Sequence, residues 1–226
     1  MMFPLRKKEA FPDQAALARI GASVRARLEA NPAVHKLPVE TAEIYAMGGF
    51  LSAGECFRLV AMIDSVAQPS TLFAGTEQPG YRTSYSGNLD RHDSYVKMIE
   101  RRIDDLLGME PEWGETVQGQ RYQSGQEYRQ HFDWFDSGSA YWKGERKRGG
   151  QRSWTAMAYL NDVEEGGKTD FIQAGVAVTP QKGALVIWNN ATPEGQPNRM
   201  TLHAGMPPVQ GTKYVLTKWY RTRKWG

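Results

Sequence analysis

Four histidines occur in the chain: His35, His92, His131 and His203. His131 and Asp133 stand in the triplet His-Phe-Asp. In an extended segment, residues i and i+2 point to the same face, so an imidazole and a carboxylate converge on one point. That pair alone fits a surface turn or a hydrogen-bonded pair as well as a metal site. His203 follows 70 residues after Asp133, in Thr-Leu-His-Ala-Gly, on what should be a returning strand. Two imidazoles and one carboxylate on one face of a metal leave three positions open, the facial triad suited to non-haem iron(II). Two open positions would take a bidentate 2-oxo acid and one dioxygen, which a fully ligated structural site could not do. His35 and His92 stand beside Lys36 and Arg91 and read as surface residues.

The elements that must carry these residues change character along the chain. From about residue 115 onward, short strands alternate with Gly, Pro and Asn turns, as in QGQRY, SWTAMAYL, VAV, GALVIW and KYVLTKWY, a texture that suggests a jelly roll. The first half reads as helical. Asp13 is placed to cap a helix with Leu17, Ile20, Val24 and Leu28 on one face, ending before Pro32. Ser52 and Glu55 form a capping box, with Leu51 and Cys56 as its hydrophobic staple, ahead of Leu59, Ile63 and Val66. A third helix fits Ser94–Leu107, stopped by Gly108. Strands fit residues 43–50 and 81–88. The basic run at 143–148 (KGERKR) reads as a solvated loop.

The whole chain narrows the alternatives. With 28 basic and 25 acidic residues the net charge is +3, which leaves no footprint for nucleic acid. A single cysteine, Cys56, excludes an intrachain disulfide and points to a reducing cytoplasm. The N-terminal charges Arg6, Lys7, Lys8 and Glu9 fall where a signal peptide needs its apolar run, and no stretch approaches the roughly 20 apolar residues of a membrane span. The expected organisation is one cooperative unit: residues 1–114 as helical support with strands joining the sheet, and 115–226 as the catalytic core.

Over residues 120–219 the chain resembles the prolyl 4-hydroxylase family of 2-oxoglutarate oxygenases. The matching stretches are RYQSGQEYRQHFDWFD, GGQRSWTAMAYLNDVEEGGKTDF, VTPQKGALVIW and TLHAGMPPVQGTKYVLTKW. Their spacing is the specific feature, with Tyr122 nine residues before His131 and Lys213 ten after His203. The resemblance implies an α+β chain: a double-stranded β-helix core with N-terminal helices packed on the larger sheet. It implies His131, Asp133 and His203 as iron ligands, Lys213 as the partner of the distal carboxylate of 2-oxoglutarate, and Tyr122 and Thr169 as hydrogen-bonding residues for that cosubstrate. Burying such a carboxylate demands a compensating charge and donors, which agrees with these residue types. Tyr128, Arg152 and Trp219 match positions that approach the substrate, and Lys213 and Trp219, six apart on one strand, share a face. The turn before His203 carries Asn198 and Arg199 where the family frequently has an acidic residue, and the loop at 137–150 is idiosyncratic.

The implied activity is hydroxylation of an unactivated C–H bond using iron(II), 2-oxoglutarate and dioxygen, with succinate and carbon dioxide released and ascorbate as reductant. The expected substrate is a peptidyl proline in a protein or peptide. A small-molecule metabolite under the same mechanism is the first rival, and a low-turnover metal-binding or oxygen-sensing module the second. A halogenase is disfavoured because Asp133 fills the position that a halide would need. The motifs leave the oligomeric state and the particular target open.

Overall fold

The structure, a computed structural model, describes residues 11–73 and 75–226, so the charged run at residues 6–9 lies outside the described part. Among the described residues there are four α-helices: α1 (Gln14–Ala30), α2 (Ala53–Val66), α3 (Ser94–Leu107) and the short α4 (Trp142–Lys147). In chain order the strands are β1 (His35–Lys36), β2 (Ile44–Met47), β3 (Gln68–Pro69), β4 (Tyr85–Asn88), β5 (Gln118–Tyr122), β6 (Tyr128–His131) and β7 (Arg152–Tyr159). They continue as β8 (Glu165–Gly166), β9 (Thr169–Phe171), β10 (Val176–Val178), β11 (Leu185–Asn189), β12 (His203–Gly205), β13 (Pro208–Gln210) and β14 (Lys213–Arg221).

An eight-stranded antiparallel sheet in the order β1-β2-β11-β7-β14-β5-β4-β3 faces a four-stranded sheet in the order β10-β9-β12-β6. Residue parity on the central strand β7 explains the layers. Trp154, Ala156 and Ala158 join a core with Leu28, Ile63 and Ile103 of the helices, whereas Met157 and Tyr159 join Phe171, Trp188 and Val215 between the sheets. Both faces of β7 are therefore covered, and its sequence is apolar or small almost throughout. Strands β1 to β4 belong to the same sheet as β5, β7, β11 and β14.

The ends of α2 and α3 follow local chemistry, whereas the start of α1 does not. At α2, Ser52 Oγ accepts from Glu55 N and Glu55 Oε2 accepts from Ser52 N, the expected capping box. Asp93 caps α3, and Gly108 ends it in the left-handed region at φ 67°. Asp13 occupies the first position before α1, yet it makes no side-chain cap and stands at φ 63°. Its carboxylate instead accepts from Gln151 N and Thr222 Oγ1, each at 3.0 Å, and from Arg223 at 2.9 Å. The expected cap is thus replaced by a latch between the start of α1 and the end of β14.

Helix α2 lies on a flat spot in the large sheet. Gly87 of β4 and Gly119 of β5 are direct cross-strand partners. A Cβ on Gly119 would run into the Ile63 side chain, and one on Gly87 into the backbone carbonyl of Val66 at 2.6 Å. Two side-chain-free positions let the helix approach this closely.

The basic run at 143–148 is a correction to the expected loop, for most of it is helical in α4. Trp142 and Glu145, one turn apart, are both buried, and Glu145 pairs with Arg221 at 2.5 Å. The partner lies 76 residues away, so the local charge pattern gave no sign of it. Among the described residues, no helix is long and apolar enough to cross a membrane.

Candidate active site

His131 at the end of β6 and His203 at the start of β12 are direct cross-strand partners, and Asp133 follows just beyond β6. The three residues offer ligand atoms within 4.8 Å of one another, the one such group among the described residues. His131 Nδ1 lies 2.8 Å from Arg129 O, and His203 Nδ1 lies 2.9 Å from Thr201 O. A carbonyl oxygen only accepts, so each Nδ1 carries the proton and each Nε2 keeps a free lone pair. His131 Nε2 is 4.0 Å from Asp133 Oδ1. Burial, and then the neighbouring His203, hold the His131 pKa well below the ordinary imidazole value, so the ring is neutral and able to ligate. The Tyr128 ring stacks on His131 at 3.5 Å, and Phe171 and Trp188 pack against His203.

The turn that carries Asn198 and Arg199 supplies the local support of His203. Asn198 accepts from Met200 N through its side chain, and Thr201 Oγ1 donates to Asn198 O, which fixes the Thr201 carbonyl that His203 uses. An acidic residue is not needed for this.

A narrow cavity runs inward from the triad between the two sheets, lined by Tyr122, Thr169, Lys213, Thr217 and Trp219 among others. Lys213, at the start of β14 opposite Tyr122 of β5, is 1% exposed. Its Nζ lies 5.0 Å from the centre of the Tyr122 ring and 5.8 Å from that of Tyr159, and among the described residues no carboxylate pairs with it. Burial pulls its pKa down to about 7. The Tyr122 hydroxyl donates to Gln120 Oε1 at 2.6 Å, and the Tyr159 hydroxyl donates to Thr169 Oγ1 at 2.7 Å. A buried cation without a counter-charge among the described residues, set beside two tyrosine rings in a cavity that reaches the triad, fits an incoming carboxylate.

Outside the triad opens a cleft of about 650 Å³, walled by Phe73, Tyr81, Tyr128, Phe135, Tyr141 and Trp219 among others. Tyr128 and Trp219 line both spaces, while Arg152 lines the outer cleft. Lys213, Val215, Thr217 and Trp219 all reach the inner cavity, which agrees with the shared face read from their spacing. Arg152 is more constrained than its sequence position suggested. It grips Glu115 in a two-pronged pair at 2.6 and 2.8 Å, and its guanidinium lies 4.3 Å from the centre of the Trp219 ring. Burial opposes ionisation of Glu115, but Arg152 and Arg221 outweigh it and hold the carboxyl below the usual range.

Sequence reasoning missed Glu115, Thr155 and Asn190. Thr155 Oγ1 donates to Asp133 Oδ2 at 2.7 Å and accepts from Asn190 Nδ2 at 2.9 Å. The signal for Thr155 was its parity on β7, which places it with Met157 and Tyr159 between the sheets. His35 and His92 are exposed and are not members of this group.

The jelly-roll fold, the triad and the buried cation together define an iron(II)- and 2-oxoglutarate-dependent dioxygenase. Residues 117–221 match the model of the 2OG-Fe(II) oxygenase superfamily. The chain is 34% identical over 200 residues to prolyl 4-hydroxylase 5 of Arabidopsis thaliana, covering 77% of this chain and 67% of that protein. It is 37% identical over 147 residues to prolyl 4-hydroxylase subunit alpha-1 of Gallus gallus, covering 63% of this chain and 28% of that subunit. The viral collagen prolyl hydroxylase from Paramecium Bursaria Chlorella virus-1, solved as a 2OG complex, superposes with a TM-score of 0.61 at 27% identity, covering 79% of this chain and 95% of that one. The chain belongs to the prolyl 4-hydroxylase-like family of 2OG-Fe(II) oxygenases.

Proposed function

We propose that the protein hydroxylates prolyl residues within a peptide or protein, with iron held by His131, Asp133 and His203. The observation that carries the peptide assignment is the large aromatic-walled cleft that ends at the triad and is distinct from the narrow inner cavity. A free amino acid would leave most of that volume unfilled, whereas a stretch of chain presents rings and backbone along it. The relatives' names agree with prolyl substrates.

When bound, iron(II) with 2-oxoglutarate and dioxygen supplies the oxidising power that replaces a C–H by a C–OH bond, as 2-oxoglutarate becomes succinate and carbon dioxide. The residues of the chain do the rest. Lys213 takes the distal carboxylate of 2-oxoglutarate, the Thr169 hydroxyl donates to one of its remaining lone pairs, and the Tyr122 hydroxyl, on turning from Gln120, donates to another. That interaction fixes how far the 2-oxo end reaches toward the triad. Trp219 and Tyr128 stand between inner cavity and outer cleft, where they wall the reacting carbon against water. Arg152, held by Glu115 and laid on Trp219, keeps that wall in place and offers its remaining donors to the substrate backbone.

The test is to incubate the protein with iron(II), ascorbate and 2-oxoglutarate, adding a panel of proline-containing peptides or free proline, and to measure succinate and hydroxyproline in the same samples. Stimulation by a peptide and not by free proline supports the proposal. Stimulation only by an unrelated small metabolite overturns the peptide assignment while leaving the metal and cosubstrate residues in place.

A further inference from the structure

We propose that Asn190 and Thr155 form a hydrogen-bond relay that sets the ligand geometry of Asp133, and that Asn190 joins this arm of the site to the one carrying His203. Asp133, Thr155 and Asn190 are 4%, 0% and 0% exposed, so water does not compete for their polar atoms. An ionised carboxylate only accepts hydrogen bonds, so the single hydroxyl proton of Thr155 goes to Asp133 Oδ2 at 2.7 Å. The hydroxyl must then find a donor for its own lone pair, and Asn190 Nδ2 supplies it at 2.9 Å. This orientation leaves Asn190 Oδ1 buried with no partner. Turning the amide over would aim that oxygen at Thr155 and draw the hydroxyl proton away from Asp133. A buried carbonyl left unpaired is costly, and here it is the counterpart of a directed proton.

With Oδ2 engaged, Oδ1 is the oxygen turned toward His131, 4.0 Å from its Nε2. The backbone of Asn190 serves the other arm. Asn190 N donates to Ser153 O at 2.8 Å and Asn190 O accepts from Asn198 N at 3.0 Å, which ties β7 to the turn before β12. That turn continues through Thr201 Oγ1 to Asn198 O and from His203 Nδ1 to Thr201 O, at 2.8 and 2.9 Å. One residue thus anchors supports of two of the three ligands, without itself being part of the ligand group. Asn190 and Thr155 are positioning residues. The relay rests on the assignment of Asp133 as a metal ligand.

Manganese(II) titration of the metal-free protein, followed by electron paramagnetic resonance, tests both ideas and separates them. Thr155→Val keeps the shape and removes the hydroxyl; it is expected to weaken manganese binding about 10- to 100-fold, the usual effect of removing such a support. Thr155→Ser keeps the hydroxyl and should restore most of the affinity. Asn190→Leu should weaken binding less than Thr155→Val, and the double variant should be no weaker than Thr155→Val alone, because the two changes cut the same chain of bonds. If Thr155→Val does not fold, Asn190→Leu decides, and affinity equal to the parent's overturns the relay. Fully additive effects, or a folded Thr155→Val that binds like the parent, also overturn it. If Asp133→Ala loses manganese while Thr155→Val does not, the ligand assignment stands and the relay alone falls. If Asp133→Ala binds like the parent, both fall.

Discussion

Lys213 and Lys218 lie five residues apart on β14, face opposite sides of the large sheet, and differ in having a counter-charge. Lys218 points toward the helices and pairs with Asp104 at 2.8 Å and Glu100 at 3.4 Å. Lys213 points between the sheets and is equally buried, beside the Tyr122 and Tyr159 rings, and among the described residues no carboxylate pairs with it. A fold does not bury a lone ammonium for stability, since burial without a partner is unfavourable. The two lysines therefore differ: Lys218 holds α3 to the sheet through its ion pairs, whereas Lys213 is the residue proposed to take the cosubstrate carboxylate.

Replacing each should separate these roles. Lys213→Met keeps the apolar stem and removes the charge, so the protein should stay folded while its 2-oxoglutarate requirement rises by about 2 to 5 kcal/mol of lost binding. Lys218→Met leaves Asp104 buried without its cation and should cost about 3 to 5 kcal/mol of stability. Denaturant unfolding and the apparent 2-oxoglutarate requirement, measured on both variants, check the pair of outcomes. The reverse pattern would refute the assignment.

Cosubstrate binding should depend on pH through Lys213. Its pKa of about 7 in the empty site is raised when a carboxylate binds beside it, because the negative charge favours the ammonium. Affinity is therefore full below about pH 7 and falls as pH rises, by up to about tenfold per pH unit, until the raised pKa of the complex is passed. In the same window, binding takes up protons. Calorimetric titration of 2-oxoglutarate at mildly alkaline pH, in two buffers of different ionisation enthalpy, measures that uptake. Proton release on binding, or none in the parent, would count against Lys213.

The glycine pair under α2 gives a prediction about the fold alone. Gly119→Val forces a side chain into the space held by Ile63, and overpacking of this kind costs about 1 to 3 kcal/mol. Thermal unfolding should show the loss, and Ile63→Ala in the same chain should recover part of it. A Gly119→Val protein as stable as the parent would mean that α2 does not sit where Gly87 and Gly119 place it.

What the sequence showed and what it hid divide along one line. Features set by neighbours in the chain were legible: the Ser52–Glu55 cap, the Gly108 stop and the pairing of His131 with Asp133, while His203 and Lys213 were marked by the family resemblance of the stretches that carry them. Features set by distant partners were not. Gly119 reads as a weak strand residue until Ile63 lies over it, and Glu145 reads as one charge in a basic run until Arg221 meets it. Asp13 reads as a cap, but Gln151, Thr222 and Arg223 claim its carboxylate first. The same applies to Thr155 and Asn190, which are ordinary polar residues in the string and meet Asp133 only across strands.

Substrate placement should be separable from cosubstrate oxidation. Trp219→Ala opens the wall between inner cavity and outer cleft and removes the surface on which Arg152 lies. A misplacement of about 1 Å can cost on the order of a hundredfold in the step that needs the target carbon in reach, whereas 2-oxoglutarate oxidation has no such requirement. Hydroxyproline formation should therefore fall further than succinate formation. Equal losses would place Trp219 in the support of the metal or cosubstrate instead.

The fate of dioxygen is the most direct measurement. A proline-containing peptide that stimulates succinate formation is incubated with the parent protein under isotopically labelled dioxygen, with Asp133→Ala as the blank. Peptide mapping should find one labelled oxygen on a prolyl residue and one in succinate, with neither formed by Asp133→Ala. Labelled succinate from the parent with every proline in every peptide unmodified would contradict the assignment of the protein as a peptidyl prolyl hydroxylase.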